Sequence, residues 1–290
     1  MSRLLTTGIL QQAQNSPSFI DKIPPTWSIY TLLKITTENY DVAYVRRDSD
    51  NITLPFTTNE ILNGTLASWV GVSNNGFIQS LLDLSGNARH LTQDDFLLQP
   101  SIVTNGILNR DTKNNPCLTF TASQKLFSSS YIPTSGTPSF CSMFSANFKG
   151  TYNQMGLYTH LTSNVGEQHA VGADDDNRVK IWSTRATSDF TGKRASAIEN
   201  LNTITGFGQT RYNGTSWDVD NADIEGRPLQ SSNANDSTTD GQPQGLTVGA
   251  TDNLDIYNFV GDMSTLIFWD TDIDAESTYI NFKELINNNL

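Results

Sequence analysis

The chain has 290 residues, 37% of them hydrophobic, and a formal net charge of −12 from 18 basic and 30 acidic side chains. That balance argues against nucleic acid or an anionic membrane surface as partner, because both require a basic face. No apolar run reaches the roughly 18 residues that a membrane-spanning helix needs, and the length fits one large all-β domain or two small ones.

The first elements differ from the rest. Met1-Ser2-Arg3 carries one positive charge without the apolar segment of a secretory leader, so synthesis in a cytoplasm is expected. Leu4, Leu5, Ile9 and Leu10 recur at helical spacing, and Ser16-Pro17 and Pro24-Pro25 then break the chain. Residues 1–30 read as a short amphipathic helix and an extended arm ending near Trp27. A short apolar-striped helix is stable mainly when packed. The stripe therefore either folds onto its own domain or docks on a second copy or another subunit.

From residue 40 the pattern is β. Val42, Tyr44 and Arg46 alternate with Ala43, Val45 and Arg47. Asn59 to Val70 reads as a short helix capped by Asn59. Asp83-Leu84-Ser85-Gly86-Asn87 is a sharp turn, and Pro100 sets up an extended start for Ser101-Ile102-Val103. Short strand runs follow at Leu118–Phe120, Ser139–Phe144, Val179–Trp182 and Gly245–Gly249. Gln209–Tyr212 and Thr215–Trp217, joined by Asn213-Gly214, read as a hairpin with a type I′ turn. Residues 218–244 read as a long polar loop, and Asp262–Asp270 as a buried closing strand. Asp274 should cap a final helix with Glu276 in its first turn and Tyr279, Phe282, Leu285 and Ile286 as its apolar stripe. Cys117 and Cys141 lie in apolar strand runs and read as buried thiols, with a disulfide open only if their strands are neighbours.

Candidate chemistry is sparse. Asp174, Asp175, Asp176, Asp218, Asp220, Asp223 and Glu225 are carboxylates, but no two can be assigned as the pair that glycoside hydrolysis requires, so no catalytic residue is named. Asp174, Asp175 and Asp176 could offer oxygen ligands to calcium, although neither this run nor Asp218-Val219-Asp220-Asn221 follows the EF-hand spacing. Calcium is thus the one cofactor considered. His90, His160 and His169 form no metal-binding spacing. For a sugar, Trp217 and Tyr212 supply stacking faces beside the hydrogen-bonding groups of Asp218 and Asp220.

The segments Tyr40–Asn51, Gly76-Phe77-Ile78, Asp83–Val103 and Asn115–Phe120, in that order, resemble the concanavalin-like (laminin-G-type) sandwich related to the arabinofuranosidase B catalytic domain, over roughly residues 40–290. The sequence departs from the family at Leu81-Leu82, where Trp-Tyr is usual, and at Leu84, where Gln is usual. The resemblance implies an all-β, concanavalin-like jelly-roll sandwich of two antiparallel sheets over residues 31–290, preceded by the arm of residues 1–30 and closed by a C-terminal helix. Copies of this domain are common in tailed-phage particles. It therefore also implies a non-enzymatic bacteriophage virion protein: a decoration, spike, fibre or tail-tip component. Such a subunit would assemble as a homo-oligomer with other virion subunits and adhere to a host surface glycan. The enzymatic relatives imply the alternative of a glycoside hydrolase acting on arabinose-containing or other surface polysaccharide. A capsid-stabilising subunit that binds no glycan is the third reading.

Overall fold

The computed structural model describes residues 18–121, 123–130, 139–149, 155–161, 168–173, 179–185, 189–194, 203–212, 217–225, 227–228, 230–232, 245–250 and 258–288. For residues 155, 160–161, 168–169, 180, 182–185, 189–194, 211–212, 217–220, 227–228 and 230–232 the backbone alone is described.

The strands form a curled sheet with antiparallel ladders that folds over on itself into two walls. One wall runs Ser28–Thr31, Gly261–Trp269, Ser139–Phe148, Ile204–Tyr212, Trp217–Ile224. The other begins with Thr53–Thr57, Asp41–Arg47, Gly76–Leu81, Leu91–Thr92 and Leu126–Ser128. It continues through Gly245–Val248, Met155–Leu161, Gln168–Ala173, Val179–Arg185 and Asp189–Arg194. Ser101–Thr104 and Leu118–Phe120 join the walls. This is the all-β sandwich with a C-terminal helix expected above.

Two strands of the first wall, Ser139–Phe148 and Gly261–Trp269, are buried at every position, and their sequences show why. Along Ser139–Phe148, Phe140, Phe144, Ala146 and Phe148 face the core between the walls, while Cys141 and Met143 face a second core on the outer side. Along Gly261–Trp269, Met263, Leu266 and Phe268 face inward and Ile267 and Trp269 outward. The change of parity falls at Ser264, the extra residue of a β-bulge opposite Ser145 and Ala146. A strand buried on both faces cannot show polar alternation, so these runs read as continuous apolar stretches. Phe268 is the centre of the inner core, with ring centroids of Tyr158 at 4.9 Å, Phe140 at 5.5 Å and Trp27 at 6.3 Å. On the neighbouring strand, a Cβ at Gly206 would lie 2.5 Å from Phe144 Cζ, so the glycine is required by close packing.

The outer core is closed by the helix Ala275–Asn288, whose buried residues are Ala275, Thr278, Tyr279, Phe282 and Ile286. Asp274 caps it as expected: its Oδ1 accepts the Ser277 amide at 3.1 Å. The short 3₁₀ turn Phe19–Lys22 packs against this helix, and Phe19 belongs to the same core. Trp27 is buried, and the strand Ser28–Thr31 spans the boundary drawn at residue 30. The stripe Leu4, Leu5, Ile9 and Leu10 lies outside the described residues.

The Asp83 turn, which carries the family resemblance, is a structural fastening. Its buried carboxylate accepts the Ile29 amide at 2.9 Å, the Ser85 amide at 3.0 Å, the Ser85 hydroxyl at 2.9 Å and the Arg89 amide at 3.1 Å. Asn87 Nδ2 donates to the Trp27 carbonyl at 3.0 Å, so the turn sews the first strand onto the second wall.

Two local expectations are corrected. The helix after residue 57 is capped by Thr57, which forms a reciprocal box with Glu60, and not by Asn59. A Thr-x-x-Glu box satisfies two orphan donors, whereas Asn59 lies inside the first turn. Residues 218–224 of the supposed polar loop continue the hairpin strand, which runs Trp217–Ile224. Ala222 and Ile224 are buried while Asn221 and Asp223 are half-exposed, a two-residue alternation that the high Asp content obscured.

Candidate functional site

The Trp217–Ile224 strand ends at Glu225, a non-glycine residue in the left-handed region with φ 54°. Non-glycine residues are uncommon there and are held by their surroundings. Glu225 is fastened on both sides. Its Oε1 accepts the Thr205 amide at 2.5 Å, the Thr205 hydroxyl at 3.1 Å and Lys113 Nζ at 3.3 Å. Its amide donates to the Thr205 carbonyl at 3.0 Å and to the phenol oxygen of Tyr279 at 3.1 Å. Tyr279 reaches this turn from the C-terminal helix and donates to the Thr205 carbonyl at 2.7 Å. Burial raises the Tyr279 phenol above its ordinary pKa, with a further push from the charges of Glu225 and Asp223, so it remains a donor. The Glu225 side chain is 39% exposed, which leaves part of the carboxylate open to solvent.

Lys113 connects this carboxylate to a second one. Its amide donates to Asp111 Oδ1 at 2.9 Å, and the Asn115 amide donates to the same oxygen at 2.9 Å. The loop is tied to the strand start by reciprocal bonds: Thr112 amide to Thr203 hydroxyl at 3.1 Å and Thr203 amide to Thr112 hydroxyl at 2.7 Å. Asn115 Nδ2 donates to the Ile286 carbonyl at 3.0 Å near the end of the helix. Asp111 Oδ2 and Asn115 Oδ1 are buried without a hydrogen-bond partner. Burial pushes the Asp111 carboxyl above its usual value, against the lowering effect of the Asn115 and Lys113 bonds. The arrangement is therefore one buried carboxyl biased toward its protonated form and one oriented, partly exposed carboxylate, both anchored on Lys113.

Of the residues singled out from the sequence, Tyr212 and Trp217 are directly paired across the Ile204–Tyr212 and Trp217–Ile224 strands, and Arg211 pairs with Asp218. Asp220 is the extra residue of a bulge between Gln209 and Thr210 on the partner strand. The structure thus brings the four proposed glycan contacts Tyr212, Trp217, Asp218 and Asp220 to one end of one hairpin, with the backbone alone described for them. The Asn213-Gly214 turn and the proposed calcium ligands Asp174, Asp175 and Asp176 lie outside the described residues. Among the described residues no group of three or more His, Cys, Asp or Glu side chains could hold a metal. His160 and His169 are cross-strand partners in register. Cys117 and Cys141 are both free and buried. Asp111, Lys113, Thr205 and Tyr279 were missed by the sequence reading. The Asp-Thr-Lys-Asn-Asn run at 111–115 does carry the signature of a side-chain-capped turn.

No protein-family model matches the sequence, and no curated protein matches it. Solved structures do match the fold. An arabinofuranosidase complexed with arabinofuranosyl-α-1,2-xylobiose superposes with a TM-score of 0.59 at 11% identity, covering 93% of this chain and 64% of that one. A GH54 α-L-arabinofuranosidase soaked with a cyclic sulfate inhibitor superposes with a TM-score of 0.61 at 10% identity, covering 91% of this chain and 63% of that one. The chain therefore spans less than two thirds of the length of these structures. The likeness establishes the arabinofuranosidase-type sandwich as the fold. It also corrects the expectations of a virion structural protein and of a non-enzyme. Three structures that match over nine-tenths of this chain are arabinofuranosidases, and nothing in their descriptions points to a phage particle.

Proposed function

We propose that this chain is a glycoside hydrolase acting on arabinose-containing polysaccharide. The observation that carries the reading is the fold likeness to arabinofuranosidases across 91–93% of the chain. Because a fold hosts many functions, the proposal has to rest on a site as well. Glycoside hydrolysis by the common mechanism uses two carboxyl groups flanking the scissile bond, one giving a proton and the other stabilising or attacking the sugar. Glu225 is the described carboxylate best suited to the second task. Its orientation is set by the Thr205 and Lys113 bonds, its backbone is held in a left-handed conformation, and it remains partly exposed. The proton donor of the pair is, in this reading, Asp223, two residues before Glu225, since Asp218 and Asp220 stand toward the other end of that strand, too far along extended backbone to flank the same bond.

The test is direct. The purified chain is incubated with arabinan, arabinoxylan and 4-nitrophenyl α-L-arabinofuranoside, and released arabinose or nitrophenol is measured. Turnover is expected on at least one of them, with Glu225→Gln lowering kcat by about 100-fold or more. A folded protein that releases nothing from any of the three overturns the reading, and turnover unchanged in Glu225→Gln removes Glu225 from it.

A further inference from the structure

A cleft of about 320 Å³ opens where the C-terminal helix meets the 3₁₀ turn Phe19–Lys22 and the segment after the first strand. The turn and the segment are joined by a bond from the Ile20 amide to the Ile35 carbonyl at 3.2 Å, so two of its walls are fixed relative to each other. The helix is fixed to the turn by Asn281 Nδ2, which donates to the Lys22 carbonyl at 3.3 Å. The cleft is built from residues that take no part in the Glu225 cluster.

We propose that this cleft binds an acidic sugar, a uronate or a short uronate-bearing oligosaccharide. Three features of the lining select that chemistry. First, Lys22 and Lys34 stand on the two joined walls, both exposed, and neither forms an ion pair among the described residues. In a chain of net charge −12 these two lysines, set against the single carboxylate of Glu284 on the lining, give the cleft a local positive excess that favours an anion. Second, the hydroxyls of Thr36 and Thr37 and the amides of Asn281 and Asn288 offer the mixed donors and acceptors that sugar hydroxyls need. Third, Phe19, Ile35 and Leu285 give the cleft an apolar floor against which the C–H face of a pyranose can lie. Glu284, also on the lining, offers oxygens that accept from the several hydroxyls of a sugar ring, which inorganic phosphate does not present. A volume near 300 Å³ is at the lower end of small-ligand sites and suits one or two sugar rings.

The experiment is calorimetric titration of the full chain with digalacturonate, with arabinobiose and with inorganic phosphate, repeated for the double variant Lys22→Ala/Lys34→Ala. Digalacturonate is expected to bind, more weakly at high salt, and to lose at least tenfold in affinity in the double variant while circular dichroism and arabinoside hydrolysis are unchanged. Absence of digalacturonate binding, equal binding by the double variant, or phosphate binding as tight as digalacturonate each overturns the proposal. Hydrolysis is read separately, so loss of one result does not decide the other.

Discussion

The phenol oxygen of Tyr279 accepts the Glu225 amide at 3.1 Å while donating to the Thr205 carbonyl at 2.7 Å. One side chain of the C-terminal helix thereby holds the turn that sets the orientation of Glu225.

Tyr279→Phe should therefore weaken the protein, because it removes the phenol bonds and leaves the Thr205 carbonyl and the Glu225 amide only their bond to each other. The expected loss is about 0.5–1.5 kcal/mol, the net worth of a lost hydrogen bond. Urea denaturation of the two proteins measures it. Equal midpoints would mean that the helix contributes packing alone.

Asp111 makes stability depend on pH in a definite direction. Its folded-state pKa is raised by burial, so the folded protein holds the proton more tightly than the unfolded chain. Its contribution is fully present below the unfolded value of about 3.9 and is lost as pH rises through the higher folded value. Asp111→Asn keeps the accepting oxygen and cannot ionise. The stability difference between wild type and variant should fall as pH rises from about 4 and level off above the folded pKa. A difference that is flat with pH contradicts this assignment.

Burial pushes the thiols of Cys117 and Cys141 well above the ordinary cysteine value, and the charge of Asp262 adds to the effect at Cys117. Both should resist Ellman's reagent at neutral pH in the folded protein and react once guanidinium has unfolded it. Rapid labelling of either thiol under native conditions contradicts the described packing.

Asp83→Ala removes an acceptor from four donors at once. The substitution should cost about 2 kcal/mol or more, since buried amides are left unpaired. Thermal unfolding monitored by circular dichroism reads the change, and a shift under about 2 °C would show that water replaces the carboxylate.

Much of the frame was legible in the chain. The Asp274 cap and the Tyr279, Phe282, Ile286 stripe are local signals at fixed spacing, and the helix forms where they place it. The Asp83 turn was legible because small and amide residues cluster there. The Trp217–Ile224 strand was hidden because its alternation runs through aspartates that weigh toward loop. The Glu225 site was out of reach for a different reason: its lysine partner lies 112 residues away and its threonine partner 20. No spacing rule connects residues that only the curled sheet brings together. The role of Tyr279 was masked because its ring already accounts for its place in an apolar stripe.

The pairing of Ser28–Thr31 with Gly261–Trp269 bears on how this chain acquires its structure. The Gly261–Trp269 strand is the last of the first wall to be made, and three earlier segments, Ser28–Thr31, Leu118–Phe120 and Ser139–Phe148, wait for it with unpaired edges. Loop closure on that scale slows the search for the native arrangement. The inner core should therefore consolidate only after the ribosome has released the Gly261–Trp269 segment. Until then those open edges are the parts of the nascent chain most exposed to aggregation and most in need of a chaperone.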